Sequence, residues 1–230
     1  MYFFGIDAAY LLLVLPAVLL AFWAQANVKT TFAKYTKIAT RRGMTGYDAA
    51  RQILDANGLR HVGIARVSGE LTDHFNPRDN MVYLSDSTHS TASVAAVGVA
   101  AHEAGHAVQH AVGYKPMQLR AAIIPITNIG SNLAMPLLLL GIALSFPTLS
   151  MLGVLAFGLS TLFQLVPLPV EFNASRRAME ALESTLDENE QSSARKVLTA
   201  AALTYVAALA VSLANLIRIF LIASRGNKRR

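Results

Sequence analysis

The stretch "AAHEAGHAVQH", Ala100 to His110, sets three histidines four residues apart with a glutamate beside the first. On an α-helix His102 and His106 fall one turn apart, so both imidazoles leave the same face and can meet one ion. Glu103 lies about 100° further around the helix, where it can stand beside that ion without holding it. This is H-E-x-x-H, in which two histidines bind zinc and the glutamate acts as general base towards a water. The flanks "VAAVGVAA" and "AV" are small and apolar. That weakens the plainer alternative of a solvated helix face, because a charged cluster sunk among apolar residues needs a reason. His110 is eight residues beyond His102, roughly 12 Å along a helix axis, whereas zinc–nitrogen bonds are about 2 Å long. One ion cannot gather all three histidines from an intact helix. Val112 also rules out the longer pattern H-E-x-x-H-x-x-G-x-x-H. His110 therefore reads as a surface or hydrogen-bonding residue.

Composition bounds the rest. Of 230 residues, 53% are apolar and only 15% are charged, against roughly 25% charged in an average soluble domain. The apolar residues come in blocks. The chain has no cysteine, so any metal must be held by His, Asp or Glu. The net charge of +6 is read as membrane topology, and no nucleic-acid partner is expected because no basic stripe carries interleaved aromatics. The expected fold is a mainly α integral membrane protein, with about four transmembrane helices and a small α+β zinc-metalloprotease-like domain.

Five segments follow. Residues 1–26 form an N-terminal transmembrane anchor, its apolar run extending from Ile6 to Trp23. Ala24-Gln25-Ala26 looks a little like a processing site, yet no Lys or Arg precedes the run as a signal peptide would need. Residues 27–120 form an α+β catalytic segment that carries the HEAGH helix. Residues 121–169 form a transmembrane helical hairpin turning at "SFPT", and 170–196 a helix with a further ligand. Residues 197–230 form a last transmembrane helix and the basic tail "RGNKRR". Asn128, Ser131 and Asn132 are expected to face neighbouring helices, since exposing amides to lipid is costly. Arg218 is expected to snorkel towards an interface. Within 27–120, "TGYDAARQILDANGL" reads as a helix capped by Thr45, with Asp48 in its first turn and an end at Asn57-Gly58. "HVGIARVSG" and "MVYLS" read as strands joined through the turn cluster "NPRDN". The histidine helix starts near Ser90 or Ser93.

The third ligand has to come from elsewhere. Pro167 and Pro169 end the third span, and Glu171 in "PLPVEFNASRRA" stands just beyond. Because two spans form a hairpin, 170–196 returns to the membrane side of 27–120. A zinc site of two histidines and one glutamate with an open position can then form. The plainer reading is that Glu171 favours a helix N-terminus.

The stretches "VAAHEAGHAVQ", "LTDHFNPRDNMVYLS" and "LPVEFNASRRA", together with the spans, resemble the membrane-bound neutral zinc metallopeptidases of the YugP type. More distantly they are similar to integral-membrane gluzincin proteases, which combine H-E-x-x-H with a downstream E-[FY]-x-A-D. The resemblance implies one catalytic Zn2+ held by His102, His106 and Glu171, with Glu103 as catalytic base. Where the gluzincin pattern has an Asp four residues after the ligand Glu, this chain has Ser175. That Asp usually orients a zinc-bound histidine, and Ser175, Asn173 and Asp86 are the candidates to replace it.

The function expected is that of a membrane-embedded zinc endopeptidase acting on a protein or peptide, membrane proteins included, beside the lipid bilayer. Arg176, Arg177, His74, His89 and Tyr83 are candidate donors to the oxyanion, and an extended substrate could add to the edge of "MVYLS". Two alternatives compete: a site-2-type intramembrane protease and a non-catalytic metal-binding membrane module. The apolar run before His102 is too short to span, which argues against the first. Lys29, Lys34, Lys37, Arg41 and Arg42, with Arg176 and Arg177, favour a cytoplasmic catalytic side in the cell membrane. "RGNKRR", on the opposite side of four spans, argues the other way.

Overall fold

A computed structural model describes residues 7–227. Ile6, where the first span was expected to begin, and the last residues of "RGNKRR" lie outside that range. Among the described residues, four helices are long and apolar enough to cross a membrane: Tyr10–Thr36, Lys115–Ala143, Pro147–Leu182 and Glu188–Ser224. A small three-stranded sheet accompanies them. The protein is thus mainly α, with a small α+β part. The described residues cluster into two compact units, one of residues 7–24, 119–168 and 204–227, the other of residues 25–118 and 169–203.

The first unit is helical. It contains the start of α1 (Leu15–Thr36, preceded by a π-helical turn at Tyr10–Val14), most of α5 (Lys115–Ala143), α6 (Pro147–Phe163) and the end of α8 (Glu188–Asn227). Between α5 and α6 the chain reverses at Ser145, whose φ of 51° is left-handed, and Phe146 donates its N–H to the Gly141 carbonyl at 2.7 Å. Small residues let the two helices approach: a Cβ on Gly153 would stand 2.6 Å from the Leu138 nitrogen. Such close backbones are how helices associate without a hydrophobic drive from water. The buried stripe of α5 runs through Ala134, Leu138 and Gly141. Asn128 and Asn132 lie off that stripe and are exposed, and so is Ser131; the expectation that they face neighbouring helices is corrected. Pro125 and Pro136 sit inside α5, where each removes one backbone donor. The Thr161 and Ser212 hydroxyls pair at 2.9 Å and Gln164 donates to Ser212, tying α6 to α8. Arg218, expected to snorkel, has a protein partner. Its Nε pairs with Asp7 at 3.3 Å, and Asp7 also accepts the Tyr10 N–H.

The second unit holds the mixed part. Helix α2 (Gly46–Ala56) starts with a full capping box: Thr45 accepts the Asp48 N–H while Asp48 accepts the Thr45 N–H. The Thr45 hydroxyl, which donates to the Asp48 carboxylate at 2.6 Å, and the Thr45 N–H together hold that carboxyl below its usual pKa. Its far end closes at Gly58, whose φ of 73° only glycine adopts without strain. The Leu59 N–H there reaches back to the Leu54 carbonyl. Strands β1 (Gly63–Val67), β2 (His74–Asn76) and β3 (Met81–Ser85) follow, and then a short helix α3 (Asp86–His89). The sheet order is β1-β3-β2, with β1 parallel and β2 antiparallel to β3. The turn "NPRDN" joins β2 to β3, and β2 itself had not been read in the sequence. Being paired on both sides, β3 has no edge to offer a substrate, contrary to expectation. The sheet's edges are β1 and β2.

Helix α4 (Val94–Ala111) begins at Ser93, whose hydroxyl accepts the Ala96 N–H. Its small apolar residues Val94, Val97, Ala100, Ala101 and Ala104 are buried against Leu54, Val82 and Leu84. Helix α7 (Pro167–Leu182) contributes Ala178 and Leu182 to the same core. At Gly105 α4 lies close against α7: a Cβ there would lie 2.9 Å from the Ala174 carbonyl oxygen, which is backbone and cannot turn aside. Replacing Gly105 with alanine should force the helices apart and cost about 1–3 kcal/mol by overpacking. Thermal unfolding of Gly105→Ala checks this: the melting temperature should fall.

A candidate metal centre between α4 and α7

Gly105 lies between His102 and His106 on α4, and Ala174 between Glu171 and Ser175 on α7. The close approach of these two small residues therefore brings the polar side chains on either side of them together. His102 Nε2 lies 3.2 Å from Glu171 Oε2, and His106 Nε2 lies 3.5 Å from the same oxygen. The ligand atoms of all three residues fall within 4.8 Å of one another. Two donors bound to one zinc at about 2.0–2.1 Å in a tetrahedron stand about 3.3 Å apart. The two observed spacings straddle that value. The donor set is hard-to-borderline nitrogen and oxygen, which suits zinc. Glu171 is 4% exposed, and a buried carboxylate without cationic company would be costly. The residues present fit a metal ion.

Glu103 stands off this trio. Its Oε2 accepts the Phe75 backbone N–H at 3.0 Å, so the edge of β2 fixes the carboxylate. Because this N–H points to α4, it is not spent on β3. His102 and His106 meet edge-on, with ring centroids 4.7 Å apart.

Each histidine has a partner on its other nitrogen. Ser175 Oγ lies 3.1 Å from His102 Nδ1. Of the three candidates to replace the missing Asp, Ser175 is the one that touches a histidine. Asp86 instead accepts from the Gly69 N–H and faces Arg66, and Asn173 bonds Gln109 and Arg177. His106 Nδ1 lies 2.9 Å from Gln109 Oε1, a partner the sequence reading missed. Its only signal is position: Gln109 is three residues after His106, hence on nearly the same helix face. Burial disfavours the charged form of His106, but its bond to Glu171 and the charges of Glu103 and Glu171 outweigh this and raise its pKa.

The expected bystander behaves as one. His110 is exposed and its ring packs at 5.8 Å from that of Phe75. The candidate oxyanion donors are engaged elsewhere. Arg176 is exposed and faces Glu180 at 3.8 Å, and Arg177 Nε donates to Asn173. His89 contacts Ser90 and Tyr47. His74 and Tyr83 are register partners on β2 and β3 and stack at 4.9 Å. Phe75 and Val82, next along those strands, pack into the core, so His74 and Tyr83 point to the opposite face. The Tyr83 hydroxyl donates to Asp79, which raises its pKa.

With the site's geometry in place, comparison with known proteins is decisive about family. A family model described as "Putative neutral zinc metallopeptidase" matches residues 10–224. The chain belongs to this family. It is also 44% identical over 219 residues to the "Putative membrane protease YugP" of Bacillus subtilis (strain 168), covering 94% of this chain and 97% of that protein. No solved structure matches. Membership of this family, the name of that relative and four apolar helices together make this a membrane protein of the zinc metallopeptidase class.

Proposed function

We propose that the protein is a zinc-dependent endopeptidase whose single ion is held by His102, His106 and Glu171, with Glu103 as general base. The observation that carries this reading is the convergence of two histidine Nε2 atoms on one buried carboxylate oxygen at zinc-like spacing, 3.2 and 3.5 Å. When bound, zinc would supply Lewis acidity, polarising the scissile carbonyl and making a water acidic enough to react near neutral pH. Glu103 takes the proton from that water and later gives it to the leaving amine. The Phe75 N–H holds Glu103 in place for both transfers. An extended peptide passing the outer edge of β2 would lie beside Glu103. Its partners are then a protein or peptide substrate and the lipid bilayer, and not a nucleic acid.

Purified wild-type protein in detergent should cleave an unfolded protein substrate, lose that activity to a chelator, and regain it with about one equivalent of zinc. Cleavage that persists in the metal-depleted protein would overturn the reading. A site-2-type arrangement is disfavoured because α4 is not among the four helices apolar enough to span. A non-catalytic module leaves the fixed Glu103 carboxylate without a task.

The cluster Lys29, Lys34, Lys37, Arg41 and Arg42 supports a cytoplasmic catalytic side. Since the chain has no cysteine, one introduced as Glu70→Cys in the exposed loop before β2 reports sidedness alone. It should resist a membrane-impermeant maleimide in intact cells and react after permeabilisation. Labelling in intact cells would place the site outside.

A further inference from the structure

We infer that Gln109 is a positioning residue of the metal centre, its amide selecting which nitrogen of His106 faces the ion and tying that histidine to the helix that carries Glu171. The inference rests on the zinc site proposed above. Gln109 is fully buried, so each of its polar atoms must find a partner. One end of the amide lies 2.8 Å from the Val170 carbonyl oxygen and 3.0 Å from Asn173 Oδ1. A backbone carbonyl can only accept, so this end is the NH2 group. Asn173 agrees: its oxygen is the atom that meets Arg177 Nε at 2.8 Å, and a guanidinium can only donate. The other end of Gln109 is therefore the oxygen, and it lies 2.9 Å from His106 Nδ1. Nδ1 must carry a proton, which leaves Nε2, the atom that faces Glu171 Oε2, as the nitrogen that can bind an ion.

His102 has no such constraint. Its Nδ1 meets a hydroxyl, Ser175 Oγ, and a hydroxyl can donate or accept. The polarity of the centre is thus set on the His106 side. The same amide also holds Val170, the residue before Glu171, so one side chain fixes a ligand on α4 and the backbone beside a ligand on α7.

The experiment uses the full-length protein in detergent, with wild type, Gln109→Leu and Gln109→Glu compared. Three quantities are read: zinc affinity by competition with a chromophoric chelator, the visible absorption of the Co2+-substituted protein, and the tautomer of His106 from 15N shifts of labelled histidine in the zinc-bound protein. Gln109→Leu should bind zinc about 10–100-fold more weakly, as for other groups that orient metal-bound histidines. It should also alter the Co2+ spectrum and lose the Nδ1–H tautomer preference. Gln109→Glu keeps the acceptor for Nδ1–H and loses the donor to Val170, so it should keep the tautomer while recovering only part of the affinity. A role in packing alone predicts lowered melting temperatures with unchanged zinc affinity, Co2+ spectrum and tautomer in whatever protein remains folded. That result would overturn the inference while leaving the metal site intact. Failure of the wild type itself to bind zinc would overturn the inference by removing the site it rests on, a different result on a different sample.

Discussion

Glu103→Gln should retain zinc and lose peptide cleavage by about 10²–10⁴-fold, the contribution a positioned general base makes. The separation of the two effects follows from geometry. Glu103 is outside the trio that converges at the metal position, so its replacement removes no ligand. Glutamine keeps the shape and one oxygen that can still accept the Phe75 N–H, which Glu103 Oε2 now accepts at 3.0 Å. What it cannot do is take a proton at neutral pH. Metal content by atomic absorption and initial rates on an unfolded protein substrate check both halves. A mutant that keeps zinc and cleaves at the wild-type rate would show that another group moves the proton.

Glu171→Ala should act on the other quantity. It deletes the acceptor facing both Nε2 atoms, and zinc affinity should fall by more than the roughly hundredfold upper range seen when a supporting partner is removed. Activity at low zinc should vanish with it. Glu171→Gln keeps volume in a buried position and so separates loss of the ligand from loss of packing; it too should bind zinc poorly. Near-normal affinity in either variant, measured by chelator competition, would move the third ligand elsewhere in the chain.

How far the sequence disclosed this site differs from residue to residue. His102, Glu103 and His106 were legible because helix periodicity alone puts them together. His110 could be discarded on the same grounds, by axial rise. Glu171 was only one of two readings until family resemblance supported it, because nothing local tells a ligand from a residue that favours a helix N-terminus. Gln109 was invisible: a glutamine near a helix end is ordinary on a surface, and only its burial between α4 and α7 gives it a task. Strand order was hidden for a similar reason. "MVYLS" announces a strand by its composition, but pairing on both sides depends on β2, three residues long and without any alternation to read. Arg218 carried no sign of Asp7, 211 residues away. Local patterns named the elements, whereas the long-range contacts decided what each polar side chain does.

The ligands that meet across Gly105 and Ala174 are 69 residues apart in the chain, with α5 and α6 between them. Translation delivers His102, Glu103 and His106 first, when the metal position has two ligands and a carboxylate but nothing to close it. Only after both helices of the hairpin have left the ribosome does Glu171 follow. On the function proposed above, the order of synthesis acts as a timer: an ion could be held by all three side chains only once Glu171 has been made.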